Sequence, residues 1–260
     1  MTDYILETKN LGIDFGGLTA VNNFDIKIGK NDIYGLIGPN GAGKTTCFNA
    51  MTGGIKKPEG DIKFEGKSVL GKNPREICYM GISRTYQNIR LFSNMTTLQN
   101  VEIGLHAKPQ YSRLAAALNL PKVKKIDKEC TEQAFVLLEK LGIEKYADLV
   151  SGNLPYGIQR KLEIARALAT NPRFLLLDEP AAGMNNDECA ELVDLLKMIH
   201  KDFDLTTIII EHHMDLVVSL CDRICVLNLG HVLALDEPSV IQNNPEVIRA
   251  YLGNRRNSRT

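Results

Sequence analysis

No charge of either sign prevails in this 260-residue chain, where 31 Lys and Arg stand against 31 Asp and Glu. No whole-chain field therefore steers it towards nucleic acid or an acidic surface. A disulfide framework is missing too. The six cysteines, at 47, 78, 130, 189, 221 and 225, form no CxxC pair and no Cys/His cluster. Cys221 and Cys225 read as small core residues, with metal binding the alternative. Their scatter makes a reducing cytosol the default. The opening MTDYILETKNL carries acids early and lacks the apolar stretch of a secretory signal. The longest apolar runs, such as FLLL and TTIII, are too short to cross a bilayer. If the protein works at a membrane, other chains are expected to span it. No internal repeat is present.

What remains is ordinary for a globular protein, with 44% hydrophobic and 24% charged residues. The length suits one large domain, or a core with a smaller insert. FDIKI (24–28) alternates as a half-buried strand does, and DIYGLIG (32–38) is a more continuous run ending in Gly. DIKFEGK (61–67) alternates again after KKPEG. These predict a small antiparallel sheet beside a more buried one. From about 96 the spacing becomes helical, in TTLQNVEIGLHA, KECTEQAFVLLEKLG and RKLEIARALA. Strands return with RFLLLDE, TTIIIEH, RICVLNLG and HVLALDE, the first three separated by the helical CAELVDLLKMIH and HMDLVVSLC. Strand–helix alternation predicts an α/β fold with a mainly parallel sheet. The expected organisation is a discontinuous core, 1–92 with 164–260, and a helical subdomain at 93–163. The polar, basic tail NRRNSRT is expected to be disordered.

GPNGAGKTT fits G-x-x-x-x-G-K-[ST], between an apolar strand and the helical CFNAMTG. Its residues, Gly38, Pro39, Asn40, Gly41, Ala42, Gly43, Lys44, Thr45 and Thr46, are candidates for cradling phosphates. The glycines let backbone N–H groups turn inward, and the helix start adds its positive end. Lys44 can reach the outer phosphates, and the Thr45 hydroxyl can serve Mg²⁺. The alternative is an ordinary Gly-rich turn. In FLLLDEP, Asp178 and Glu179 end a buried strand, where open α/β sheets bind ligands. Asp178 suits hydrated Mg²⁺, and Glu179 suits activation of an attacking water. A pair of solvated loop acids is the alternative.

Together these segments resemble the ATP-binding subunits of ABC transporters over nearly the whole chain. The resemblance implies a P-loop NTPase core with an inserted α-helical subdomain, and ATP and Mg²⁺ as ligands. It implies that Gln87 of RTYQN joins core to insert as a catalytic and metal-binding residue. It makes His212 of IIIEHHM the switch histidine, with His213 adjacent, and Phe15 of DFGG the residue stacked on adenine. It also gives a meaning to LPYGI (154–158), just before a basic helix. In the family this is the signature loop, usually LSGGQ, which closes over nucleotide held by a second subunit. Gly157 is kept there, but Pro155 replaces Ser and offers neither hydroxyl nor N–H. Tyr156 replaces a Gly. A plain helix cap is the alternative reading of this loop.

LPYG before LEIARAL, RTYQNIRLFSNMTTLQNVEIGLH, DEPAAGMN and NNPEVIRAYLG are similar to one branch, the ATPases of high-affinity branched-chain amino acid uptake. Related systems for urea and short amides share these motifs. Asn185 departs from the commoner Asp of the dimer-crossing loop. The insert HAKPQYSRLAAALNLPKVKKIDK carries Lys122, Lys124, Lys125 and Lys128, read as a solvated surface or as a contact with membrane subunit or lipid.

The resemblance implies an importer ATPase at the cytoplasmic face of the inner membrane. Its expected partners are two transmembrane permease subunits, a second ATPase subunit and, indirectly, an extracytoplasmic solute-binding protein, with no nucleic acid. The rivals are a soluble ABC ATPase acting on nucleic acid, a kinase on the same core, and a binding-only cassette. No coiled-coil arm or second cassette supports the first. The LPYG helix argues against the second, and intact Lys44, Asp178 and Glu179 argue against the third.

Overall fold

The structure, a computed structural model, describes residues 4–107, 111–112, 116–118 and 120–257. It divides into two units, Met1–Ile77 with Arg173–Thr260, and Cys78–Pro172. The helical stretch expected at 93–163 lies inside the second unit.

In the first unit, β1 (Tyr4–Phe15) and β2 (Leu18–Gly29) form an antiparallel hairpin. FDIKI lies within β2 and buries Phe24, Ile26 and Ile28 while Asp25 and Lys27 face out. The buried run Ile33–Ile37 is β3, and a turn then leads into helix α1 (Lys44–Met51). Next come β4 (Glu59–Phe64) and β5 (Lys67–Ser68), which complete a sheet in the order β2-β1-β4-β5. Helix α2 (Pro74–Met80) spans the boundary of the two units.

The second unit holds the short strand β6 (Ile82–Arg84) and three longer helices. These are α3 (Thr97–Leu105), α4 (Pro121–Lys140) and α5 (Tyr156–Ala169). Thr96 and Gln99 cap α3 reciprocally, so both orphan N–H groups there are satisfied. A Cβ on Gly104 would come within 2.6 Å of the Arg166 carbonyl oxygen, so only glycine lets α3 lie this close to α5. On α4, Val123, Cys130, Ala134, Leu137 and Leu138 face inward. Lys122, Lys124, Lys125 and Lys128 are exposed, and the last two pair with Glu129 and Glu132. Residues 108–110, 113–115 and 119 of the same insert lie outside the described residues.

The chain returns to the first unit with β7 (Phe174–Asp178), α6 (Asn186–Asp202), β8 (Thr206–Ile210) and α7 (Met214–Leu220). β9 (Arg223–Asn228), β10 (His231–Asp236), α8 (Pro238–Gln242) and α9 (Pro245–Asn257) follow. Within this unit the second sheet runs β10-β9-β3-β8-β7. Its pairs are parallel except β9–β10. Every residue of β3, β7 and β8 is buried, as expected of a parallel sheet covered on both faces. Arg173 forks onto Glu65 at 2.8 and 2.9 Å and lies over the Phe64 ring, which itself sits 6.4 Å from Phe174. These contacts join the two sheets.

Two sequence expectations are refined. Cys47, Cys221 and Cys225 are core residues, and burial pushes the Cys225 thiol up to about 12. The tail expected to be disordered enters α9, which starts upstream at Pro245 and stays helical through Gly253 to Asn257. Residues 258–260 lie outside the described residues.

Candidate nucleotide site

Strand register gathers the first candidates. Leu36 of β3 and Asp178 of β7 both pair with Ile210 of β8, so three strand ends lie level. The segments just beyond them carry Gly38, Glu179 and His212.

Gly38 has φ +149°, and a Cβ there would fall 2.1 Å from the Leu227 carbonyl oxygen. Gly43 has φ +103° and lies against the Ala20 carbonyl oxygen. Only glycine fits either place. Gly43 caps α1 without a side-chain hydrogen bond, so the first amides of the helix are left for an anion. Pro39, Asn40, Gly41 and Ala42 form the turn between, tied by an Ala42 N–H bond to Pro39 O at 3.1 Å. Lys44, buried, donates through Nζ to Gly38 O at 2.7 Å and Pro39 O at 3.1 Å. Burial lowers its pKa, and the carboxylates of Glu179 and Asp178 oppose that. Thr45 is exposed in the first turn of α1, with Thr46 half-buried beside it. The loop thus offers amides, one ammonium and one hydroxyl, the donor set that fits a chain of phosphates.

Across from it Asp178 is buried, while Glu179 takes the left-handed backbone at φ +47°. His212 Nε2 lies 2.9 Å from Glu179 Oε1. His213 turns the other way, its Nδ1 3.4 Å from Glu211 Oε2. The two histidines are therefore distinct, and the first of them meets Glu179. Among the described residues no three His, Cys, Asp or Glu side chains gather to hold a metal ion. Thr45 and Asp178 instead present hard oxygen donors beside the phosphate loop, which fits a cation shared with phosphate. Phe15, 52% exposed, ends β1 at the tip of the hairpin whose Ala20 touches Gly43.

The sequence pattern of the family described as "ABC transporter" matches residues 21–182. The chain belongs to the ABC transporter ATP-binding family. The members of this family are ATPases, and this ABC chain is one of them. A second pattern, "Branched-chain amino acid ATP-binding cassette transporter", matches residues 231–256. The high-affinity branched-chain amino acid transport ATP-binding protein of Salmonella typhimurium is 42% identical, over 97% of this chain and 99% of its own. Its counterpart in Pseudomonas aeruginosa is 41% identical over the same shares. Among solved structures, an ABC transporter cassette in its ADP conformation is 34% identical with a TM-score of 0.84. It covers 97% of this chain and 100% of that one. Among the described residues no helix is long and apolar enough to cross a membrane.

The LPYGI segment, 154–158, lies in the second unit. Pro155 caps α5 with no side-chain bond, and its carbonyl accepts Ile158 N–H and Gln159 N–H, both at 3.0 Å. The Tyr156 hydroxyl accepts from Arg160 Nη2 at 3.1 Å. A Cβ on Gly157 would meet nothing within 4 Å, so the backbone there is open. Gln87 is exposed, and its carbonyl accepts from Arg160 Nη2 at 3.0 Å. Arg160 is fully buried, paired at 2.9 Å with Glu163, whose Oε1 accepts Tyr86 N–H and Arg90 N–H. This pair, which the sequence reading passed over, ties the start of the basic helix to the segment bearing Gln87. Asn185 serves as N-cap of α6 in a reciprocal pair with Glu188. A capping amide performs that task as well as an Asp.

Proposed function

We propose that this chain is the ATP-hydrolysing subunit of an importer of branched-chain amino acids. The observation that carries the reading is the convergence of Lys44, Asp178, Glu179 and His212 at the level ends of β3, β7 and β8. The solute is supported by the names of the relatives and by the match at 231–256.

In this reading the first amides of α1 and the Lys44 ammonium hold the phosphates. Thr45 and Asp178 would hold Mg²⁺, which would supply positive charge to the outer phosphates, and the family resemblance adds Gln87 to that role. Glu179 accepts a proton from the attacking water, and His212 orients that water and the terminal phosphate. Phe15 offers its ring to the adenine. The other face comes from a second ATPase subunit, the same chain or a different one, because this chain has a single phosphate loop. Pro155, Tyr156 and Gly157 open α5, whose N-terminal dipole faces the partner's terminal phosphate. Closure of the pair moves two permease subunits at the cytoplasmic face of the inner membrane, and an extracytoplasmic solute-binding protein delivers the amino acid.

Uptake of labelled leucine, isoleucine and valine by cells lacking the gene tests this. Restoration by the intact chain but not by Lys44→Ala supports it. Restoration of urea or amide uptake alone replaces the solute.

A further inference from the structure

Glu179 holds a backbone that a glutamate disfavours, at φ +47°. Such a conformation persists only where its surroundings over-determine it. Glu179 N–H donates to Ile210 O at 2.9 Å, and Ala182 N–H donates to Glu179 O at 3.1 Å. A third tie comes from a side chain outside the roles assigned so far. The Glu211 carboxylate is 2% exposed. Its Oε1 accepts Ala181 N–H at 2.7 Å, and its Oε2 accepts His212 N–H at 3.0 Å. One buried carboxylate therefore grips both segments that carry Glu179 and His212.

The residue type suits the task. Two N–H donors converge, and an ionised carboxylate is acceptor-only. A glutamine would turn its NH₂ towards one of those donors. A buried carboxylate is also unfavourable unless its oxygens are hydrogen-bonded, so the two segments must close on it together.

We propose that Glu211 is a positioning residue for ATP hydrolysis. It fixes the turn after β7 against the end of β8, so that the 2.9 Å contact of Glu179 Oε1 with His212 Nε2 is formed before the reaction. The inference rests on the hydrolytic roles given to Glu179 and His212. Glu211 itself acts through those two residues.

The test compares Glu211→Gln, Glu179→Gln and the double variant for steady-state hydrolysis, and for affinity towards a non-hydrolysable ATP analogue with Mg²⁺. Glu211→Gln is expected to lower kcat by about a hundredfold, the scale of a misplaced reacting group, with analogue affinity near wild type. Added to Glu179→Gln, it lowers the residual rate no further, because both remove the same step. An unchanged kcat overturns the proposal. So does a loss carried by weaker analogue binding, or a full multiplicative loss in the double variant. Wild-type hydrolysis by Glu179→Gln instead overturns the site assignment beneath it. Should Glu211→Gln fail to fold, Glu211→Asp serves, since it keeps a carboxylate one methylene short. A folded Asp variant with reduced kcat and intact analogue affinity supports the proposal, and one with full kcat overturns it.

Discussion

His212 Nε2 lies 2.9 Å from Glu179 Oε1, while the neighbouring His213 faces Glu211 instead. The two adjacent histidines are therefore not interchangeable. His212→Ala is expected to lower kcat by about 10²–10⁴-fold, the range for a group positioned at proton transfer. His213→Ala should hydrolyse ATP near the wild-type rate. Steady-state phosphate release checks both, and a larger loss from His213→Ala contradicts the assignment.

The phosphate loop makes unequal demands on its glycines. An Ala at 38 would press its Cβ to 2.1 Å from the Leu227 carbonyl oxygen, whereas one at 41 would meet nothing within 4 Å. Gly41, at φ +79°, adds only the left-handed penalty, about 1–2 kcal/mol. Gly38→Ala is expected to abolish nucleotide binding, and Gly41→Ala to lower stability and weaken binding by a smaller factor. A fluorescent-nucleotide titration with a melting curve separates them.

Arg160→Met strands a buried carboxylate. Burial raises the Glu163 pKa above the ordinary 4.5, and Arg160 is the foremost opposing influence. Breaking such a pair costs about 3–5 kcal/mol. The sign with pH follows from proton binding. A carboxyl raised in the fold holds protons that the unfolded chain has released, so its contribution is lost as pH rises through the folded pKa. Without Arg160 the folded pKa moves higher still. The deficit of Arg160→Met should thus be smallest near pH 4.5 and grow towards neutrality. Urea midpoints at mildly acidic and neutral pH read it, and a flat deficit contradicts the buried-pair account.

Thiol chemistry should follow burial. Cys47, Cys130, Cys221 and Cys225 are buried, and Cys78 and Cys189 are half-exposed. Burial, with Glu211 and Glu188 nearby, raises the Cys189 pKa. Less thiolate at neutral pH makes Cys189 slow to alkylate, with a rate that climbs in alkaline buffer. Mass spectrometry after brief iodoacetamide treatment of folded protein is expected to find Cys78 modified at neutral pH, Cys189 modified only once the buffer is alkaline, and the other four intact.

The parallel strands were legible because both their faces are covered, so β3, β7 and β8 read as unbroken apolar runs. β1 was not. Its register slips between Thr8 and Leu11 and again near Ile13, with Asn10 at φ +49°, and no two-residue period survives that. Helices α2 and α8, of 7 and 5 residues, are too short to show a period. The phosphate loop and Asp178–Glu179 were legible because their chemistry is compressed into contiguous residues. Glu211 was not, although it ends an apolar strand as Asp178 does. Its task depends on a partner 30 residues away, brought near only by the pairing of β7 with β8. Pro155 and Tyr156 stood out in the sequence, but the Arg160 behind Tyr156 looked like one more basic residue on a helix.

The central claim is a nucleotide clamped between the phosphate loop of one subunit and the signature loop of another. Glu179→Gln protein, mixed with Mg²⁺ and ATP and its mass measured in solution, tests this most directly. The account predicts ATP binding with a doubling of mass, reversed when Gly157→Asp places a carboxylate against the phosphate. Bound ATP with an unchanged mass assigns the second half-site to a different ATPase chain. Failure to bind ATP at all would contradict the account.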